Sequence, residues 1–198
     1  MKKSIVFALV AVAAIVVLWL VSSQRRMVNY QEKATMAWSQ VESAYQRRMD
    51  LIPNLVSTVQ GAADYEKSVL TAVIEARAKA SSVQIDADNL TEDNIAQFQQ
   101  AQDALQGAMN RAITLTVERY PEITATKNFS DLQTQIEGTE NRINVEREKF
   151  NEAVRPYNTM IRQFPNNLAA KILGFEKMGY FKSAAGAENA PSVDFNFD

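Results

Sequence analysis

The stretch FSDLQTQIEGTENRINVEREKFNEAVRPYNTMI, residues 129–161, decides the fold class. Phe129, Ile136, Ile143, Phe150 and Tyr157 recur every seven residues over 29 positions. Leu132, Thr139, Ala153 and Met160 follow three residues behind, and Val154 and Ile161 widen the end. Apolar positions spaced three and four apart share one face of a helix, so the stretch predicts a single long amphipathic helix. Ser130 and Gln133 have the spacing of a capping box at its start. Pro156 is expected to bend its last third, and the stripe stops at Phe164-Pro165.

Three more stripes of the same kind precede it. The first is Ala34, Trp38, Val41, Tyr45, Ile52, Leu55 and Val59. Pro53 falls inside it and removes a backbone donor, which predicts a kink or a new helix. Gly61 and Asp64 offer a rival break, a C-terminal glycine followed by a capping side chain. The second stripe is Tyr65, Val69, Val73, Ala76 and Ala80, and the polar stretch 81–91 reads as a turn. The third is Ile95, Phe98, Leu105, Met109, Ala112 and Thr116, halted at Tyr120-Pro121 because a residue before proline avoids helical angles. The fold class is therefore all-α: over residues 24–165, an antiparallel up-and-down bundle of four long helices. The aromatic residues of the stripes are expected to be bundle core.

Upstream, after a short segment 1–4, the pattern is solid rather than periodic. Ile5 to Val21 is an unbroken apolar run of 17 residues, 19 with Ser22 and Ser23. As a helix, 19 residues span about 28 Å, close to the ~30 Å hydrocarbon core of a bilayer. Lys2 and Lys3 flank one end, Arg25 and Arg26 the other, with Trp19 near the second boundary. A cleaved leader would place Val21 and Ser23 before the cut, but its apolar run is normally only about 7–15 residues. Residues 5–23 are expected to be a transmembrane helix. A one-charge excess at the amino end leans towards a body outside the cytoplasm, with the chain crossing the membrane once.

Downstream, residues 166–182 form an apolar segment with interspersed lysines. Leu168, Ile172, Phe175, Tyr180 and Phe181 can cap the end of the bundle or, because the fourth helix returns towards the bilayer, lie in the membrane interface. Residues 183–198 read as a flexible tail that ends in VDFNFD. There Val193, Phe195 and Phe197 alternate with polar residues, as a strand added to a partner's edge would.

Composition narrows the chemistry. There are no His and no Cys residues, which excludes a Ser-His-Asp triad, a cysteine nucleophile, disulfides and His/Cys zinc sites. The net charge of −2 argues against nucleic acid as a partner. Carboxylate pairs such as Glu137/Glu140 have ordinary helical spacing, and a di-metal bundle would need Glu-x-x-His elements. No catalytic, metal or cofactor-binding residue is assigned.

The motifs themselves resemble those of the LemA family. The likeness rests on Ala37-Trp38-Ser39-Gln40, above all on Arg47-Arg48-Met49-Asp50-Leu51-Ile52-Pro53-Asn54-Leu55-Val56, and on Glu75-Ala76-Arg77-Ala78-Lys79-Ala80. It continues through Arg119-Tyr120-Pro121, Gly138-Thr139-Glu140-Asn141-Arg142-Ile143, Tyr157-Asn158, Phe164-Pro165 and Val193-Asp194-Phe195. The resemblance implies a bacterial single-pass membrane protein with a helical body and an accessory role beside membrane proteases or other envelope proteins. It carries no catalytic residues.

Within that motif Arg48 sits on the edge of the first apolar seam. A half-buried charge needs a partner, and the fourth helix offers Glu140 or Glu137. The pair would fix helix register; the alternative is a functional polar site at the Pro53 bend. The expected function is a non-enzymatic, membrane-anchored interaction protein that uses no cofactor. Its partners would be membrane lipid, envelope proteins or copies of itself. The alternatives are a homo-oligomer that organises membrane and an accessory factor of a membrane protease or envelope-stress system.

Overall fold

The structure is a computed structural model, and it describes residues 2–60 and 66–182. Gly61, Asp64, Tyr65 and the tail with Val193, Phe195 and Phe197 lie outside the described residues. The described chain is helical throughout, without strands: α1 (Lys2–Val59), α2 (Lys67–Ser82), α3 (Glu92–Arg119), α4 (Pro121–Thr124), α5 (Lys127–Arg162) and α6 (Asn166–Leu173).

Helix α1 joins what the sequence divides. Its 58 residues, about 87 Å of helix, run from the apolar N-terminal stretch through Pro53 without restarting. Of the kink and the new helix expected at Pro53, no new helix starts there, and packing explains why. Leu51, Ile52, Leu55 and Val59 are all buried around the proline. Each such side chain contributes roughly 1.5–3 kcal/mol, which together outweigh a proline penalty of about 3 kcal/mol. Helix α5 likewise passes through Pro156, with Val154, Tyr157, Met160 and Ile161 buried beside it. Residues 5–18 of α1 lie exposed, and α1 is the one described helix long and apolar enough to cross a membrane.

Helices α1 and α5 pack antiparallel in one register. Ser23 meets Asn166 just beyond α5, Trp38 meets Phe150, and Arg48 meets Glu140, so each step up α1 is matched by a step down α5. Helices α2 and α3 form the second close pair, joined at the far end by Glu66 and Arg119. All four stripes face inward.

Two local starts differ from expectation. Helix α5 begins three residues before Ser130: Thr126 is its N-cap, and the Thr126 hydroxyl accepts a hydrogen bond from the Phe129 N–H. The Ser130 N–H is already bonded to the Thr126 carbonyl, and Gln133 donates to Glu137, so neither forms a capping box. In the 83–91 turn, Ile85 and Leu90 are buried, and Thr91 caps α3.

Candidate functional site

Two charges are buried among the described residues: Glu146, paired with Arg142 and Lys149 of its own helix, and Arg48, which centres a polar layer between helices. Arg48 is only 2% exposed. Its guanidinium donates to the Glu140 carboxylate at 2.6 Å and to the backbone carbonyl of Gln102 at 3.1 Å, tying α1 to α5 and α3. The same group lies over the Tyr45 ring, 5.1 Å from its centroid. Of the two carboxylates expected for Arg48, Glu140 is the one in contact, while Glu137 accepts from Gln133 on the surface. Below the layer lies a core of Trp38, Tyr45, Phe98, Ile143 and Phe150; above it lies one of Ile52, Leu55, Leu105, Met109 and Ile136. Arg48, Gln102 and Thr139 are the buried polar residues between them.

A cavity of about 320 Å³ opens beside this layer, lined by Glu42, Tyr45, Arg77 and Gln102 among others. Burial pushes the Glu42 carboxyl above its usual range, against the pull of the Trp38 indole. Burial raises the Tyr45 phenol as well, opposed by the cations Arg147 and Arg48. Among the described residues no cluster of three or more Asp and Glu has the geometry of a metal site.

The segment 166–182 does not behave as one amphipathic unit. Helix α6 ends at Gly174, whose φ of +77° is the left-handed conformation that suits a glycine C-cap. The rest is an extended strap laid across the aromatic core. Phe181 stacks on Trp38 with ring centroids 6.0 Å apart and meets Phe150 edge-on at 5.6 Å. Phe175 and Tyr180 pack on the same core. Of the two places open to them, these three take the cap. Leu168 and Ile172 stay exposed on α6.

Three side-chain amides hold the strap. Asn158 donates to the Met178 carbonyl and accepts its N–H; Asn151 does the same for Phe181, and Gln99 for Lys182. Each amide thus replaces the neighbouring strand that an extended segment would otherwise need. The Gly179 N–H donates to the Leu90 carbonyl. A Cβ at Gly179 would stand 2.7 Å from the Glu92 Cα, so only glycine fits the crossing. Tyr157 donates to the Glu176 carbonyl, and burial, with the Glu176 charge, pushes its phenol up to about 12. Lys182 and Lys177 hold the Glu92 carboxyl below its usual range.

Sequence reasoning missed these clamps. The available signal was an amide beside a stripe position, Asn151 after Phe150 and Asn158 after Tyr157, since a buried amide must find partners. What it could not show was that the partner is the backbone of 178–182.

This body has recognisable relatives. Protein LemA of Metamycoplasma hominis is 22% identical over 164 residues, 83% of this chain and 71% of that protein. Magnetosome protein MamQ of Magnetospirillum gryphiswaldense is 32% identical over 74 residues, 37% of this chain and 27% of that protein. Magnetosome protein MamQ 2 of Paramagnetospirillum magneticum is 36% identical over 66 residues, 33% of this chain and 24% of that protein. The chain thus spans about a quarter of the length of those two. The LemA family profile matches residues 37–195, from the turn before Trp38 past the strap, and the chain belongs to the LemA family.

Proposed function

We propose that the chain is a non-enzymatic, membrane-anchored interaction protein of the bacterial envelope. It would cross the inner membrane once, with its body on the extracytoplasmic side. The observation that carries this reading is the continuity of α1, which makes span and body one rigid element. Trp19 and Leu20 pack against the body and Ser23 donates to Asn166, contacts that removal of a leader would destroy. The buried charges serve helix register rather than an exposed reactive site. The up-and-down four-helix arrangement belongs to this reading, supported by two antiparallel pairs around shared core.

Two measurements test it. A photo-crosslinker at Phe195 or Phe197 in living cells should capture a discrete envelope protein. Capture of nothing at any site of the tail removes the partner role. A membrane-impermeant maleimide should label an Asn110→Cys variant in intact cells; labelling only after lysis places the body in the cytoplasm.

A second reading, a membrane-organising homo-oligomer, is favoured by an open groove of about 660 Å³ between α2 and α3, lined by Val69, Ala72, Ala108 and Leu115. The mass of the detergent-solubilised chain separates the two: a large discrete oligomer supports this reading, a monomer the first.

A further inference from the structure

The strap has drawn the aromatic residues of 166–182 into the core, yet four large apolar side chains at the same end remain uncovered. Phe164 is 80% exposed, Leu168 52% and Ile172 72%, with Leu173 beside them. Leu168 and Ile172 stand one helical turn apart on the same face of α6, and Phe164 stands in the turn just before the helix, while Ala169 and Ala170 on the other face of α6 are buried against the body. A helix with one face docked and an apolar face open needs an occupant for that face.

The register of α1 fixes how high this face stands. The Ser23 hydroxyl donates to the Asn166 side chain at 3.3 Å, at the first turn of α6. Ser23 lies two residues beyond Val21, the end of the apolar run, about 3 Å along the helix. Trp19 and Leu20, still within the run, pack against the body. No spacer separates span from body, so α6 lies at the level where α1 leaves the hydrocarbon.

Charge at this end has one sign. Residues 4–31 and 153–175 contain no Asp or Glu. They carry Arg25, Arg26, Arg155, Arg162 and Lys171, all exposed and none in an ion pair among the described residues. Arg26 and Arg155 line one groove of about 410 Å³ between α1 and α5. The carboxylates Asp88 and Glu176 line a cleft with Gln31, which stands about 12 Å further along α1 than Ser23.

We propose that Phe164 and α6 form a lipid-docking foot, its apolar face set into the boundary between acyl chains and headgroups, and its arginines and Lys171 against anionic phospholipid. The proposal rests on α1 being the membrane span. An apolar face at the depth of the interface, ringed by unpaired cations, has the chemistry of an interfacial helix bound to an anionic leaflet. The body is then held to the bilayer at two points, which fixes its rotation about α1.

The absence of native cysteine allows a direct test on the full chain. Single Val12→Cys, Leu168→Cys, Ile172→Cys and Asn110→Cys variants carry a nitroxide and are reconstituted in vesicles of phosphatidylcholine with or without phosphatidylglycerol. Collision rates with oxygen and with a water-soluble nickel chelate report depth. With phosphatidylglycerol present, positions 168 and 172 should show an oxygen-to-nickel ratio several-fold above that of Asn110→Cys, approaching Val12→Cys. Arg162→Gln with Lys171→Gln should lower that ratio. Lipid exposure at 12 with water exposure at 172 overturns the foot and leaves the anchor. Water exposure at both overturns the anchor and the foot together. Low access to both reagents, or spin–spin broadening, replaces lipid with a protein contact or a second copy. Equal depth with and without phosphatidylglycerol overturns the anionic preference.

Discussion

The two halves of the body, on either side of the Arg48 layer, are built differently. The half beside the anchor is aromatic: Trp38 touches Phe98, Phe150 and Phe181 with centroids between 5.2 and 6.0 Å. A non-helical strap closes it, held by three side-chain amides. The far half is aliphatic, with Leu51, Leu55, Leu105 and Leu132 among its core residues, and among the described residues it is helices that pack there. Aliphatic stripes at helical spacing suffice to join helices. Sealing an open end with extended chain takes groups that satisfy every backbone donor and acceptor in the seal, and the amides supply them. The difference teaches that the strap-closed end, beside the apolar N-terminal stretch, is a made surface, whereas the far half is a packed one.

The comparison breaks first at the rings. Phe150→Ala is expected to cost about 3–5 kcal/mol by denaturant unfolding and to speed hydrogen exchange in 175–182, because Phe181 loses its neighbour. Leu105→Ala, costing about 2–5 kcal/mol, should leave exchange in the strap unchanged. Equal exchange in the two variants would erase the distinction between the halves.

The layer between them comes next. Glu140→Leu leaves the Arg48 guanidinium buried without its carboxylate, a loss of about 3–5 kcal/mol in a fully buried pair and less here, where Glu140 keeps 20% of its side chain exposed. Arg48→Leu with Glu140→Leu should recover most of the loss in thermal unfolding. A double variant no better than the sum of the two singles would mean that the pair is not coupled.

Smaller effects fall on the strap. Asn158→Ala orphans the Met178 N–H and carbonyl, about 1–3 kcal/mol, seen as faster exchange at 178 ahead of any change in the far half. The smallest effect concerns pH. Lys182 and Lys177 hold the Glu92 carboxyl below its ordinary value of 4.5. Its contribution is present above that value and is lost as pH falls through the lower, folded one. Strap exchange, corrected for intrinsic rates, should therefore quicken on acidification below about 4.5, and Glu92→Gln should flatten that response.

What the sequence made legible follows from range. Every stripe is a local repeat at helical spacing, and every described stripe residue lies on an inward face. Arg48 stood out because a charge on an apolar seam must be paired, and antiparallel packing brought Glu140 within reach. Pro53 left a kink and a new helix both open because its penalty is local, whereas the burial that keeps α1 continuous there comes from α2, α3 and α5. The strap was illegible for a related reason. Its partners are single amides 20 to 83 residues away, bonding to backbone, and backbone has no letter in the sequence. Phe175, Tyr180 and Phe181 left cap and interface both open because an apolar aromatic run reads alike whether protein or lipid covers it.

The unbroken α1 also has a mechanical meaning. With α1 as the proposed span, the helix from residue 24 to Val59 projects about 54 Å beyond the bilayer. Transmembrane helices tilt to match bilayer thickness, commonly by about 20°. On a stiff arm of that length such a tilt sweeps the tip sideways by ~18 Å. On the proposed reading the chain is a lever with its fulcrum at Ser23, turning ångström changes in membrane thickness into displacements the size of a small domain's radius.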